Sequence, residues 1–187
     1  MTKYILHGGV AKRDTIANRK FFFEIINGLP EPHNILIVCY AKEKDFWQET
    51  LEKDKLRFSL AAPEKVLDLV LANENINVFI EQMKQADAIY LHGGNSHVLQ
   101  EYLEKIPNLK NLWKDKTIAG SSAGACVLGK YYYENDDDTY NKGLGLLPIK
   151  VFCHYTEKQA DKLEKLKRYG EKFEIRAIPE EKFLIIE

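Results

Sequence analysis

Residues 116–129, Lys-Thr-Ile-Ala-Gly-Ser-Ser-Ala-Gly-Ala-Cys-Val-Leu-Gly, constrain the fold more than any other stretch of the chain. An apolar run meets a cluster of small residues, and a second small and apolar run follows. This order reads as a buried strand, a very tight turn and a helix. Gly120-Ser121-Ser122-Ala123-Gly124 has the G-x-S-x-G spacing of a turn that holds its central serine on strained backbone above a sheet. The two glycines have no Cβ to strike the adjoining strand and helix. A helix starting there would aim its first N–H groups at a point where negative charge can develop. Ser122 is therefore the candidate reactive residue.

The remaining chain supplies a sheet for this turn. Lys3–His7 is a short apolar run closed by Gly8-Gly9. Asp14 or Thr15 can cap a helix that runs to Ile26. Residues 34–40 are continuously apolar, as expected of a strand buried on both faces. A charged helix over about 44–60 follows, then a strand or helix over 65–72 and a helix over 76–85. Residues 87–94 repeat the strand-then-Gly-Gly form, and Asn95 or Ser96 can cap the next helix. Residues 131–141 are polar and acidic and read as a loop, although the run Tyr131-Tyr132-Tyr133 suits strand packing rather than a substrate platform. A strand region over 144–155, a charged helix over 157–169 and two short strands at 173–178 and 182–186 close the chain.

Alternation of strand and helix predicts an α/β fold, a three-layer sandwich about a mainly parallel sheet. In such sheets the site forms outside the carboxyl ends of the strands. The loops at Gly8-Gly9, Tyr40-Ala41, Gly93-Gly94-Asn95 and Ser122 are thus expected on one rim. With no repeat or linker, residues 1–187 read as one domain.

Composition narrows the partners. Lys plus Arg (27) nearly balance Asp plus Glu (28), which argues against nucleic acid. No apolar run reaches the roughly 18–20 residues of a membrane span. Cys39, Cys126 and Cys153 are sparse and odd in number, which points to a reducing cytoplasm. No spacing among these cysteines resembles a zinc site, the aspartates 136–138 leave metal binding open as an alternative to a solvated loop, and no cofactor is expected. The oligomeric state is left open, a homodimer included.

A serine hydroxyl needs a general base. Among five histidines, His154 ends a strand region downstream of Ser122 and suits a loop facing it. A carboxylate should then fix the imidazole, and the acidic run 134–138 lies between the two. One oxyanion donor should be the Ala123 N–H, and the pair Gly93-Gly94 is the best source of the other. Plainer readings stand beside these. The turn could bind an anion only, Ser121 could be the reactive hydroxyl, the aspartates could be a solvated loop, and Cys126 could be the nucleophile in an amidotransferase-like domain. A non-catalytic α/β domain that binds a ligand or a partner is the main alternative to an enzyme.

His92-Gly-Gly-Asn-Ser96, the Gly-Ser-Ser-Ala-Gly-Ala run ending at Ala125, Gly145-Leu-Leu-Pro148 and His154-Tyr155 together resemble the serine peptidases of the dipeptidase E and cyanophycinase family. The closing segment 177–187 is similar to that family's final β-hairpin. The resemblance implies a fold like the class I glutamine amidotransferase domains (flavodoxin-like), with serine in place of cysteine. It implies Ser122 as nucleophile, His154 as base, Gly94 and Ala123 as oxyanion amides, and Gly93 and Asn95 as substrate contacts. The acid falls on Asp136 or Asp137: Asn135-Asp136 matches the motif, and counting from the serine favours Asp137. The implied substrate is a short peptide or amide, cleaved through an acyl-enzyme without a metal. The loop by which the dipeptidase E branch grips an N-terminal aspartate has no counterpart here, because His154-Tyr-Thr-Glu-Lys-Gln runs into a helix.

Overall fold

The computed structural model describes all 187 residues. Ten strands form two sheets. The larger has the order β10-β1-β5-β4-β2-β3, built from β1 (Lys3–His7), β2 (His33–Val38), β3 (Leu67–Leu71), β4 (Ala88–Leu91), β5 (Thr117–Ser121) and β10 (Phe183–Ile186). All its pairs are parallel except β1 with β10. The smaller has the order β7-β6-β8-β9, with β6 (Gly129–Glu134), β7 (Thr139–Lys142), β8 (Leu147–Cys153) and β9 (Glu174–Ile178).

Helices flank the larger sheet. Helix α1 (Ile16–Ile26) packs on α2 (Trp47–Ala61), and α3 (Ile76–Gln85) packs on α5 (Leu109–Leu112). Helix α4 (Ser96–Glu104) packs on α6 (Ala123–Cys126), and α7 (Ala160–Arg168) lies on β6 and β8. Thr15 caps α1 by accepting the Asn18 N–H, and Asn95 caps α4 by accepting the Val98 N–H. The β1, β2, β4 and β5 cores are almost wholly buried, as their unbroken apolar runs require. The register pairs His7 with Ser121, Leu91 with Gly120 and Val38 with Leu91. The four carboxyl-end loops therefore gather on one rim.

The structure differs from the sequence reading in four places. Residues 131–141 are a β-hairpin, not a loop: Tyr131, Tyr132 and Tyr133 belong to β6, pair with β7 and pack inward. The ambiguous 65–72 stretch is the edge strand β3. The helix after Ser122 is a single turn, because the chain leaves at Gly129 into β6. A helix that short has little dipole, so the local N–H groups matter there rather than the macrodipole. The two closing strands do not form a hairpin. Strand β9 joins β8 in the smaller sheet, while β10 joins β1 in the larger. The turn between them docks on the loop after β1, with Gly8 N–H donating to Lys182 O and Glu181 N–H to Gly9 O. No helix is long and apolar enough to cross a membrane.

Strand β8 is fastened to α7 by a buried lysine. The Lys150 ammonium donates to the carbonyls of Leu166, Lys167 and Tyr169 at 2.9, 2.9 and 2.6 Å. These belong to the last turn of α7 and the residue after it; Leu166 O also accepts the Tyr169 N–H, while the carbonyls of Lys167 and Tyr169 lie past the end of the helical ladder. Burial lowers the Lys150 pKa, but three acceptors hold the proton in place. Replacing Lys150 by Met keeps the stem and strands the carbonyls of Lys167 and Tyr169. We expect a loss of about 2 kcal/mol or more in urea unfolding; an unchanged midpoint would show that the ammonium does not hold α7 to β8.

Candidate active site

Ser122 sits between β5 and α6 with φ 54° and ψ −116°. A non-glycine residue rarely adopts this backbone, and the strain costs of order 1–3 kcal/mol. Close packing enforces it. A Cβ on Gly120 would lie 2.3 Å from the Gly124 carbonyl oxygen, and one on Gly124 would lie 2.1 Å from that of Leu91. The Ser122 N–H donates to His7 O at 3.0 Å, and its carbonyl accepts from Ala125 and Cys126. The side chain consequently faces the rim.

His154 follows the last residue of β8 at φ 55°. Its N–H donates to Gly8 O at 2.7 Å. Its ring lies over Gly9, where a Cβ would come within 2.1 Å of the imidazole. Only glycine leaves that space. His154 Nε2 is 2.9 Å from Ser122 Oγ, and Nδ1 is 3.1 Å from Glu180 Oε1. A carboxylate only accepts, so Nδ1 carries the proton. Nε2 is then the lone pair that accepts the Ser122 hydroxyl proton.

The carboxylate on the imidazole is thus a glutamate, not either expected aspartate. Asp137 lies on the surface, 3.8 Å from His97 Nε2, and Asp136 lines a small cleft; neither hydrogen-bonds His154. The cause is strand order. Strands β8 and β9 are parallel, with Cys153 opposite Ile178, so His154 and Glu180 leave the same edge of the smaller sheet. The acidic run nearest in sequence lies in the β6–β7 hairpin, where Glu134 and Asp136 line the cleft beside Ser122 without bonding the imidazole. Reading 173–178 as parallel to the strand before His154 would have pointed to Pro179-Glu180.

The N–H groups of Gly93, Gly94 and Ala123 donate to no backbone acceptor. Gly94 and Ala123 line the same cleft as Ser122. The Asn95 side chain is engaged in capping α4 and its N–H donates to Ala41 O, so it is not a cavity contact. Ser121 is buried, with Oγ 3.5 Å from His7 Nδ1. Cys126 is buried in the turn after Ser122.

Two openings flank Ser122. One is a cavity of about 410 Å³ whose wall includes Gly93, Gly94, His92, Lys42 and Arg57. The other is a cleft of about 180 Å³ lined by Glu134, Asn135 and Asp136. Beneath the first lies a pair the sequence reading missed. Asp54 is fully buried, accepting from Arg57 Nη1 at 2.7 Å and contacting His92 Nε2 at 2.5 Å. Its signal was a carboxylate on the buried stripe Trp47, Leu51, Asp54, Phe58 of α2. No group of three or more His, Cys, Asp or Glu side chains is gathered as a metal would need.

A parallel-sheet rim that carries a strained serine in contact with an imidazole defines a hydrolase-type site. The family model of Peptidase family S51 matches residues 6–187, and the chain belongs to that family of serine peptidases. Two solved structures are similar in fold. One is a peptidase from an acI-B1 Actinobacterium, at 20% identity and TM-score 0.65, over 100% of this chain and 83% of that one. The other is a candidate peptidase E protein from Listeria monocytogenes EGD-e, at 16% identity and TM-score 0.68, over 100% and 94%. Among curated proteins none matches.

Two measurements probe the frame of the site. Ser122→Gly and Ser122→Ala both lose the hydroxyl, but only glycine relieves the positive φ. We expect the glycine variant to be more stable by about 1 kcal/mol in urea unfolding, after allowing for its larger unfolded-state entropy; equal or lower stability would mean the turn is unstrained. The second concerns His7, which is fully buried, bonds Asn18 through Nε2 and accepts the Gly9 N–H on Nδ1. Burial, opposed by the Asn18 bond, holds its pKa below the ordinary 6.5. The unfolded chain therefore binds the proton more readily, and stability falls as pH drops below about 6.5. The slope from this one group is at most ~1.4 kcal/mol per pH unit. His7→Gln should flatten the decline in melting temperature on the acid side; an unchanged slope would exclude His7 as its source.

Proposed function

We propose that this serine peptidase hydrolyses a short peptide or amide through an acyl-enzyme formed on Ser122. His154 takes the hydroxyl proton as Ser122 Oγ attacks the carbonyl, then returns it to the leaving amine. Glu180 holds the imidazole in the Nδ1–H tautomer and stabilises the imidazolium. The open N–H groups of Gly94 and Ala123 receive the oxyanion, and one such donor is worth about 3–4 kcal/mol in comparable sites. Gly93, beside the serine, lines the acyl pocket. The observation that carries this reading is the 2.9 Å contact between His154 Nε2 and Ser122 Oγ on a strained turn.

A fluorophosphonate probe followed by peptide mapping tests it. The adduct is expected on Ser122 and absent from Ser122→Ala; labelling that survives the substitution removes the assignment. Wild-type protein inert both to the probe and to a dipeptide library would leave a ligand-binding domain instead. The acid is tested separately. Glu180→Gln is expected to lower kcat by about 10²-fold or more, with Asp136→Asn and Asp137→Asn near the wild-type kcat. The opposite order would return the role to an aspartate.

A further inference from the structure

The 410 Å³ cavity beside Ser122 does not end at the rim. A second cavity of about 220 Å³ abuts it, and Lys12, Phe22, Lys53 and Arg57 line both. The first is lined by four cations, Lys12, Lys42, Lys53 and Arg57, and by no carboxylate. Lys53 pairs with exposed Glu49 and Arg57 with Asp54, while Lys12 and Lys42 pair with no carboxylate. The second cavity adds Arg13 and Arg19 to its wall, with Arg13 paired to Glu181 at 2.9 Å and to Glu180 at 3.4 Å. Its one acid, Asp14, is held by Arg19 at 2.7 and 2.8 Å.

Arg57 stands at the junction and is built in rather than merely near. Asp54, fully buried, holds one guanidinium nitrogen and leaves the remaining N–H groups without a protein acceptor. The other oxygen of Asp54 holds His92, the residue before Gly93-Gly94. The guanidinium is thereby fixed where both cavities reach it, and an oriented donor loses little entropy on binding a carboxylate.

We infer that the joined cavities form a cationic groove for an acidic peptide segment longer than a dipeptide. One carboxylate sits against Arg57 and Lys42 next to Ser122, and a further one against Lys12 and Lys53 toward the second cavity. A dipeptide would fill only the first cavity, which already has the volume of a small-ligand pocket. The inference names the substrate of the site proposed above and rests on that reading for cleavage, but not for binding.

The test therefore uses Ser122→Ala, which leaves the peptide intact. Binding of a fluorescein-labelled tetraglutamate peptide is followed by anisotropy, beside tetraglutamine, a glutamyl dipeptide and an oligonucleotide of equal charge. Tetraglutamate is expected to bind at least ~10-fold tighter than the other three, and more weakly at about 300 mM than at about 50 mM salt. Arg57→Gln should cost ~10-fold. Lys12→Gln with Lys42→Gln should cost several-fold, with no loss of fold to confuse the result, since neither lysine is paired. Tetraglutamine or the dipeptide binding as tightly, equal or better binding of the oligonucleotide, or lysine and arginine variants without effect would each overturn the groove. Loss of fluorophosphonate labelling would strike the hydrolase reading alone.

Discussion

Two backbone hydrogen bonds to the end of β1 fix the geometry on which the site depends. His7 O accepts the Ser122 N–H, and Gly8 O accepts the His154 N–H. One bond belongs to the larger sheet and the other to the edge of the smaller. The hydroxyl and the imidazole come from different sheets, yet both are referenced to adjacent peptide groups of one strand end. That strand end is itself held. Asn18 bonds the His7 ring through Oδ1 and donates through Nδ2 to Val10 O and Arg13 O, so α1 pins the whole loop. A polar pair buried this deeply holds its place because nearly every donor and acceptor in it is satisfied.

The closing turn completes the same arrangement. Its hydrogen bonds to Gly8 and Gly9 bring Pro179 against Gly8, where any Cβ would strike the Pro179 carbonyl. Glu180 arrives at the imidazole as a consequence of where β9 ends, not of any local sequence signal. Both glycines after β1 are thus occupied from above, Gly8 by the closing turn and Gly9 by His154. The strain at Ser122 is small beside the large core that surrounds the turn, which runs continuously through β1, β2, β4 and β5.

Much of this was legible in the residues. The G-x-S-x-G turn, the strand ends on one rim and the caps Thr15 and Asn95 follow from short-range rules: small residues where backbones touch, oxygens where helices open. What escaped was long-range. The glutamate at 180 depends on parallel pairing of β8 with β9, which no local pattern records. The tyrosine run 131–133 suited strand packing, but the stretch to 141 as a whole looked like a loop because the partner strand 139–142 is mostly polar. Asp54 was hidden because helix periodicity marks a buried position but does not say that a histidine and an arginine wait there. Asn95 was assigned to the substrate because its place after the glycines suits either role; the cap took it.

The division of labour between elements has a consequence for how the site is built. Ser122, His154 and Glu180 all hang from strand ends, whereas the cations of the large cavity come mainly from α2 and the loops at 12 and 42. Positions on α2 facing the cavity, Thr50, Lys53 and Arg57, are spaced to share one helical face, and of these Thr50 and Lys53 can vary without touching the serine, its imidazole or buried Asp54. Asp54 is the exception. It faces the core rather than the cavity, and through Arg57 and His92 it ties the cationic wall to the glycine pair beside the serine. A buried carboxylate with two cationic or hydrogen-bonding partners is costly to disturb, since removing either partner leaves the charge uncompensated. The cationic wall and the glycine loop beside the serine are therefore one hydrogen-bonded unit, fixed relative to each other.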